Sequence, residues 1–157
     1  AKDVGTIISL DGGAQRYDEG MKPITEDSHI VIVARDYAEK YTGTTNLEEA
    51  CRIIHNRGAL IAGVTDGANG SYFVWPDGTA YRCEPFPQDS VVDTTGAGDA
   101  FAGSFLSKLL NHENLNNISE EELAQMAKFA TNYASLTTTK TGAISSYLTE
   151  EEYNSLI

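Results

Sequence analysis

Long apolar runs are missing from this sequence. None approaches the ~20 residues that a membrane-spanning helix requires, and the opening AKDVGTIISL has no secretory-leader layout. Cysteine is scarce too. Cys51 and Cys83 lie far apart with no CxxC or His-paired metal spacing, so both read as reduced residues, and a cytoplasmic location is expected. Positive charge is also in short supply: 11 Lys and Arg stand against 23 Asp and Glu, a formal charge of −12. Such a field repels nucleic acid and anionic membrane surfaces, and neither is expected as a partner. A phosphorylated metabolite stays admissible, because salt screens surface charge beyond ~8–10 Å while a pocket of backbone N–H groups acts locally. His29, His55 and His112 show no ligand spacing, and no internal repeat or low-complexity linker interrupts the chain.

What is present suits one domain, with 157 residues of which 41% are hydrophobic. Ile7 to Leu10, HIVIVA (29–34) and LIAGVTDG (60–67) read as buried strands, the first and third ending in glycine turns. Helical spacing runs from Asp36 to Tyr41 and from Leu47 to Arg57, with Asn46 as an N-cap and Gly58 as a C-terminal stop. Strands alternating with helices predict a mostly parallel sheet covered by helices. SYFVWPDGTAYRCE then predicts an antiparallel hairpin around Trp75-Pro76-Asp77-Gly78, at the sheet edge. Tyr72, Trp75 and Tyr81 read as packing. Helices are expected over 97–110, from Ser119 to about Thr137, and from Thr149. The Ser119/Glu122 and Thr149/Glu152 pairs form capping boxes, and the acidic triplets 120–122 and 150–152 complement helix dipoles. AKDVG looks like the end of a helix and its exit loop, as though the chain were entered partway through an α/β unit.

The stretch DTTGAGDAFAGSFL (93–106) puts a glycine turn at the start of an apolar helix. Unpaired N–H groups and the positive end of the dipole suit an anion there, and glycine lets it approach the backbone. Asp99, in the first turn, serves equally as a simple dipole complement, and such turns are common. A carboxylate beside donors for developing phosphoryl charge is nonetheless the combination that transfer to a hydroxyl needs: Asp99 takes the proton and Gly96 to Gly98 hold the charge. Neither GxxxxGK[ST] nor GxGxxG is present.

DTTGAGDAFAGSFL closely resembles the C-terminal signature of the ribokinase-like carbohydrate kinases of the phosphofructokinase B type. SLDGGAQR (9–16) resembles the strand and turn before that family's linking segment, VTDGANGSYF (64–73) its nucleotide-binding strand and turn, and KTGAISS (140–146) the loop near its adenine and monovalent-cation sites. The resemblance implies a ribokinase-like α/β fold and assigns Asp99 as catalytic base with Gly96, Ala97 and Gly98 as anion hole. Thr65, Gly67, Ala68, Gly70, Thr94, Thr95 and Gly142 become nucleotide contacts. The metal-associated NxxE element reads Asp36-Tyr37-Ala38-Glu39, so Mg²⁺ would be organised through water by Glu39 and Asp36. On local grounds alone these two are a solvated helix start with Asp36 as N-cap. Asp66 departs from the pattern, which has a neutral residue there. Asp93, Thr95, Thr137, Lys140, Gly142 and Ser146 mark a K⁺ site by analogy, mostly through carbonyl oxygens.

Members of that family are about twice as long. Residues 1–157 therefore correspond to the C-terminal, nucleotide-binding and catalytic half of a single domain, without the N-terminal sugar-binding half and lid. A fragment is expected, with an exposed sheet edge and apolar surface where the other half belongs. The implied activity is ATP-dependent phosphorylation of a sugar hydroxyl, with Mg²⁺, K⁺ and a homodimer of the intact enzyme among the family's attributes; the isolated chain should bind sugar poorly. A catalytically silent nucleotide-binding protein of the same fold is the alternative, followed by a hydrolase or a purely structural α/β domain using the turn only as a cap.

Overall fold

In a computed structural model that describes residues 5–157, five strands form one sheet in the order β1 (Ser9–Gly12), β2 (Ile30–Ala34), β3 (Ile61–Thr65), β4 (Ser71–Val74) and β5 (Ala80–Cys83). β1, β2 and β3 are parallel, and β4 and β5 return antiparallel as the hairpin expected around Trp75. The helices are α1 (Met21–Glu26), α2 (Arg35–Thr42), α3 (Leu47–Asn56), α4 (Ala97–Leu109), α5 (Glu120–Thr137) and α6 (Glu150–Asn154).

Side-chain alternation along β2 explains why both of its faces are apolar. Ile30 and Ile32 join Ile61, Phe73 and Trp75 against Phe101, Phe105 and Leu109 of α4 and Leu123 and Ala127 of α5. Val31 and Val33 point the other way, with Ala62, Val64 and Val74, onto Tyr37, Ala38 and Tyr41 of α2 and Ala50, Cys51 and Ile54 of α3. A stack of rings, Trp75 on Phe73 at 4.7 Å and Phe73 on Phe105 at 5.4 Å, fills the first layer. Gly63 makes room for it: a Cβ there would stand 2.6 Å from the Phe73 ring. Trp75 and the hairpin aromatics are packing residues, as expected from their place on strands.

Local chemistry places the helix starts. Asn46 accepts from the Glu49 N–H at 3.1 Å, and both capping boxes form, at Ser119/Glu122 and Thr149/Glu152. Two expectations are corrected. The first strand covers 9–12 rather than 7–10, because its register is set by pairing Ser9 with Ile30, and Ile7 remains 45% exposed. α2 begins at Arg35 with Ala34 as its N-cap, so Asp36 is a first-turn residue whose Oδ2 accepts the Gln15 N–H at 2.5 Å. α1 went unanticipated: it is six residues long with Pro23 in its first turn, too short for a periodic signal. The helix-like reading of AKDVG falls on residues 1–4, outside those described, and on Gly5.

β1 is an edge strand, with no strand on its outer side among the described residues. Val91 and Val92, just before the DTTGAG turn, are about 60% exposed. His29 is satisfied locally, its Nδ1 accepting the Ile8 N–H at 3.0 Å.

Candidate active site

Two turns, at 65–70 and 93–98, converge in space. The first leaves β3 at Thr65 and curls through a 3-10 turn, Gly67–Asn69, closed by Asp66 N–H to Gly70 O at 2.9 Å and Asn69 N–H to Asp66 O at 3.0 Å. Gly70 has φ +91°, and a Cβ there would run into the Cys83 carbonyl, so only glycine serves.

The second turn is DTTGAG. Asp93 holds it together: one carboxylate oxygen accepts from Thr95 N at 2.9 Å and the other from Gly142 N at 2.8 Å. These amides hold the Asp93 carboxyl below its ordinary pKa, the Thr95 amide first. The Val92 and Asp93 amides also donate to the Thr138 carbonyl. The loop after α5 is thereby tied to the start of α4. The glycines of the GAG triplet differ in what they do. Gly96, the N-cap of α4, has φ +81° and lies so close to Ala143 that a Cβ would be 2.7 Å from that methyl. Gly98 has no such constraint, and a Cβ there would meet nothing within 4 Å. The Ala97 N–H donates to Thr94 O at 3.2 Å, whereas those of Gly98 and Asp99 have no acceptor among the described residues. These free first-turn donors are what an anion would use.

Between the two turns lies a cleft of about 380 Å³. Thr65, Gly67, Ala68 and Gly70 line it from one side, Thr94, Ala97 and Gly98 from the other. Phe101, Thr131, Ala134, Ser135 and Thr138 contribute its α4 and α5 walls, and Pro85, Phe86, Pro87, Gln88 and Val91 the rest. The Phe86 carbonyl is fixed by the Ser135 hydroxyl. An apolar chamber with donors concentrated at one helix start suits a flat ring carrying an anionic tail. Thr95 and Gly142, which the resemblance makes nucleotide contacts, do not line the cleft, nor do Asp93 and Gly96; the Thr95 and Gly142 amides are taken up by the Asp93 carboxylate instead.

Asp99 follows Gly98 in the first turn of α4 and is exposed. It lies within electrostatic reach of Asp11, at the C-terminal end of β1. The Asp11 carboxyl is raised above its ordinary pKa, by desolvation first and then by the Asp99 charge, with Arg16 drawing it back. Asp11 and Arg16 were not singled out as site residues from the sequence, since the link to Asp99 is made only in three dimensions.

The DxxE element occupies a second, shallower cavity lined by Ala34, Arg35, Asp36, Glu39, Thr65, Asp66 and Gly67, sharing Thr65 and Gly67 with the cleft. Its carboxylates already have partners: Asp36 takes the Gln15 amide, and Glu39 and Asp66 both hold Arg35. Among the described residues no group of three or more His, Cys, Asp or Glu is placed to cage a metal ion. Of the residues suggested for K⁺, Asp93, Thr95 and Gly142 meet at the turn. Thr137 and Ser146 are buried with their hydroxyls on the Ala134 and Ala143 carbonyls, and the Lys140 ammonium is 3.4 Å from Glu152.

Residues 4–150 match the family model of the pfkB family carbohydrate kinases. The chain belongs to this family. A probable fructokinase-2 of Arabidopsis thaliana is 31% identical over 162 residues, which cover 97% of this chain and 48% of that protein. Fructokinase-1 of Zea mays is 31% identical over 169 residues, covering 100% and 50%. Among solved structures, aminoimidazole riboside kinase from Salmonella enterica, with aminoimidazole riboside and an ATP analog, superposes with a TM-score of 0.80 at 22% identity, over 98% of this chain and 53% of that one. A fructokinase from Vibrio cholerae bound to fructose, ADP and potassium gives 0.82 at 23%, over 98% and 51%. The fold is thus that of the ribokinase-like kinases, and the chain spans about half the length of the relatives it matches. No helix among the described residues is long and apolar enough to cross a membrane.

Proposed function

We propose that this chain is the nucleotide-binding and catalytic half of an ATP-dependent sugar kinase, in which Asp99 accepts the proton of the attacking hydroxyl. The observation carrying the reading is the convergence of the 65–70 and 94–98 turns on one cleft, with the Gly98 position open toward it. The adenine ring would lie in the apolar part of the cleft, between the Pro85–Pro87 wall and α5. The phosphates would run past Thr65 and Gly67 toward the start of α4. There the free amides of Gly98 and Asp99, together with the α4 dipole, oppose the charge developing on the transferred phosphoryl group. Gly96 provides the turn that aims them. Asp99, one residue on, receives the hydroxyl proton as the oxygen attacks in line.

Asp36 and Glu39 would hold the water shell of a Mg²⁺ ion, which would supply neutralisation of the phosphate charge. A K⁺ ion would be held by backbone carbonyls around Asp93 and Gly142. Sugar selection is assigned to residues beyond these 157, in the half of the relatives that this chain does not cover, so the chain alone binds sugar weakly or not at all. Free, buried Cys51 and Cys83 agree with a cytoplasmic enzyme.

The test is Asp99→Asn in the intact enzyme. Sugar-dependent ADP release should fall by at least ~10²-fold, the lower end of a general-base contribution, while nucleotide affinity hardly changes. Turnover near that of the unaltered enzyme would remove Asp99 from this role.

A further inference from the structure

The cleft is lined by no Lys or Arg, although the reading above puts a polyphosphate in it. The cavity joined to it at Thr65 and Gly67 holds one cation, Arg35. Arg35 opens α2, and its guanidinium spans to the turn after β3: Nε is 2.8 Å from Glu39 Oε1, and Nη1 is 3.1 Å and 3.3 Å from the two oxygens of Asp66. The Nη2 group has no partner among the described residues. The Arg35 side chain is 47% exposed whereas that of Asp66 is 15% exposed, so the guanidinium is the accessible member of the pair. Ion pairs this open to water are weak and readily exchanged. A phosphate chain carries more charge than either carboxylate and accepts the planar guanidinium fork in a bidentate manner.

We propose that Arg35 is a ligand for the phosphate chain of the nucleotide, clamped by Asp66 and Glu39 in the free chain and exchanged onto phosphate when nucleotide enters. The inference rests on the nucleotide reading of the cleft. Asp66 acts as the competing carboxylate: it stores the guanidinium at the cleft's edge and lowers affinity by the strength of its own pair. The neutral residue that the resemblance leads one to expect at position 66 would leave an arginine here held by Glu39 alone.

Calorimetric titration of the 157-residue chain with Mg²⁺·ATP tests this, alongside Arg35→Gln and Asp66→Asn, each first shown by its melting curve to be folded. A ligand role requires opposite signs: Arg35→Gln weakens binding about 10-fold, as loss of a charged hydrogen bond does, and Asp66→Asn tightens it about 3-fold, as removal of a weak competing pair does. Were the Arg35–Asp66 pair only a tie between α2 and the β3 turn, both variants would weaken binding alike. That outcome, or no change in either, overturns the proposal and leaves the nucleotide reading standing. A folded unaltered chain that does not bind Mg²⁺·ATP overturns both.

Discussion

Two glycines two residues apart offer a way to separate folding from binding in the GAG turn. At Gly96 an alanine must adopt φ near +81°, at a cost of about 1–2 kcal/mol. Its methyl also meets that of Ala143 at 2.7 Å, an overpacking that costs about 1–3 kcal/mol more. The sum, about 2–5 kcal/mol, lowers Tm by at least ~4 °C in a chain of this size. At Gly98 the backbone is helical and the new methyl touches nothing. Replacing glycine by alanine in a helix favours folding by up to ~1 kcal/mol, so Tm should hold or rise by as much as ~4 °C. That methyl stands in the cleft wall beside the free amides, where an anion would sit. Gly98→Ala should therefore weaken Mg²⁺·ATP by at least tenfold, equivalent to ~1.4 kcal/mol. Melting curves with and without Mg²⁺·ATP read both effects. A Gly98→Ala chain that is stable and binds nucleotide as before would refute the assignment of these amides to phosphate.

The remaining predictions concern the supports of the site. Asp93→Asn should loosen the turn from Gly142 and reduce nucleotide-dependent stabilisation, seen as a smaller Tm rise on adding Mg²⁺·ATP. Because the folded Asp93 pKa lies below its unfolded value, the stability it contributes is present above about pH 4 and is lost as pH falls through the folded pKa. An acid titration followed by circular dichroism should accordingly show a shallower loss of stability below about pH 4 in Asp93→Asn than in the unaltered chain. Gly63→Ala should cost about 1–3 kcal/mol by forcing the Phe73 ring out of its stack, measurable as a lower denaturation midpoint, while nucleotide affinity per folded molecule stays the same.

Features set by short-range chemistry were readable along the chain. The β-branched runs at 30–34 and 61–65, the Asn46 cap and both capping boxes follow from neighbouring residues. The Trp75-Pro76-Asp77-Gly78 turn, with glycine at φ +85°, belongs to the same class. Features that depend on who the neighbour is in space were not. The register of β1 is decided by β2, and Asp36 loses the N-cap position because Ala34 ends a strand from which α2 starts directly. The same division runs through the site. Motif resemblance singled out the residues of the two turns, whereas their meeting across one cleft required the fold. Arg35 carried no signal in isolation, since its significance comes from Asp66 on another strand's turn. Asp11 became a neighbour of Asp99 only once β1 and α4 were placed.

The central claim is that the 65–70 and 94–98 turns hold one nucleotide between them. Fourteen glycines give this chain a built-in set of reporters in amide NMR spectra. Titrating the ¹⁵N-labelled chain with Mg²⁺·ATP should shift the Gly67, Gly70 and Gly98 resonances together, with one saturation curve, while Gly43 and Gly78, away from the cleft lining, stay in place. A folded chain in which the Gly67 and Gly98 resonances do not move, or move with different affinities, would contradict the account.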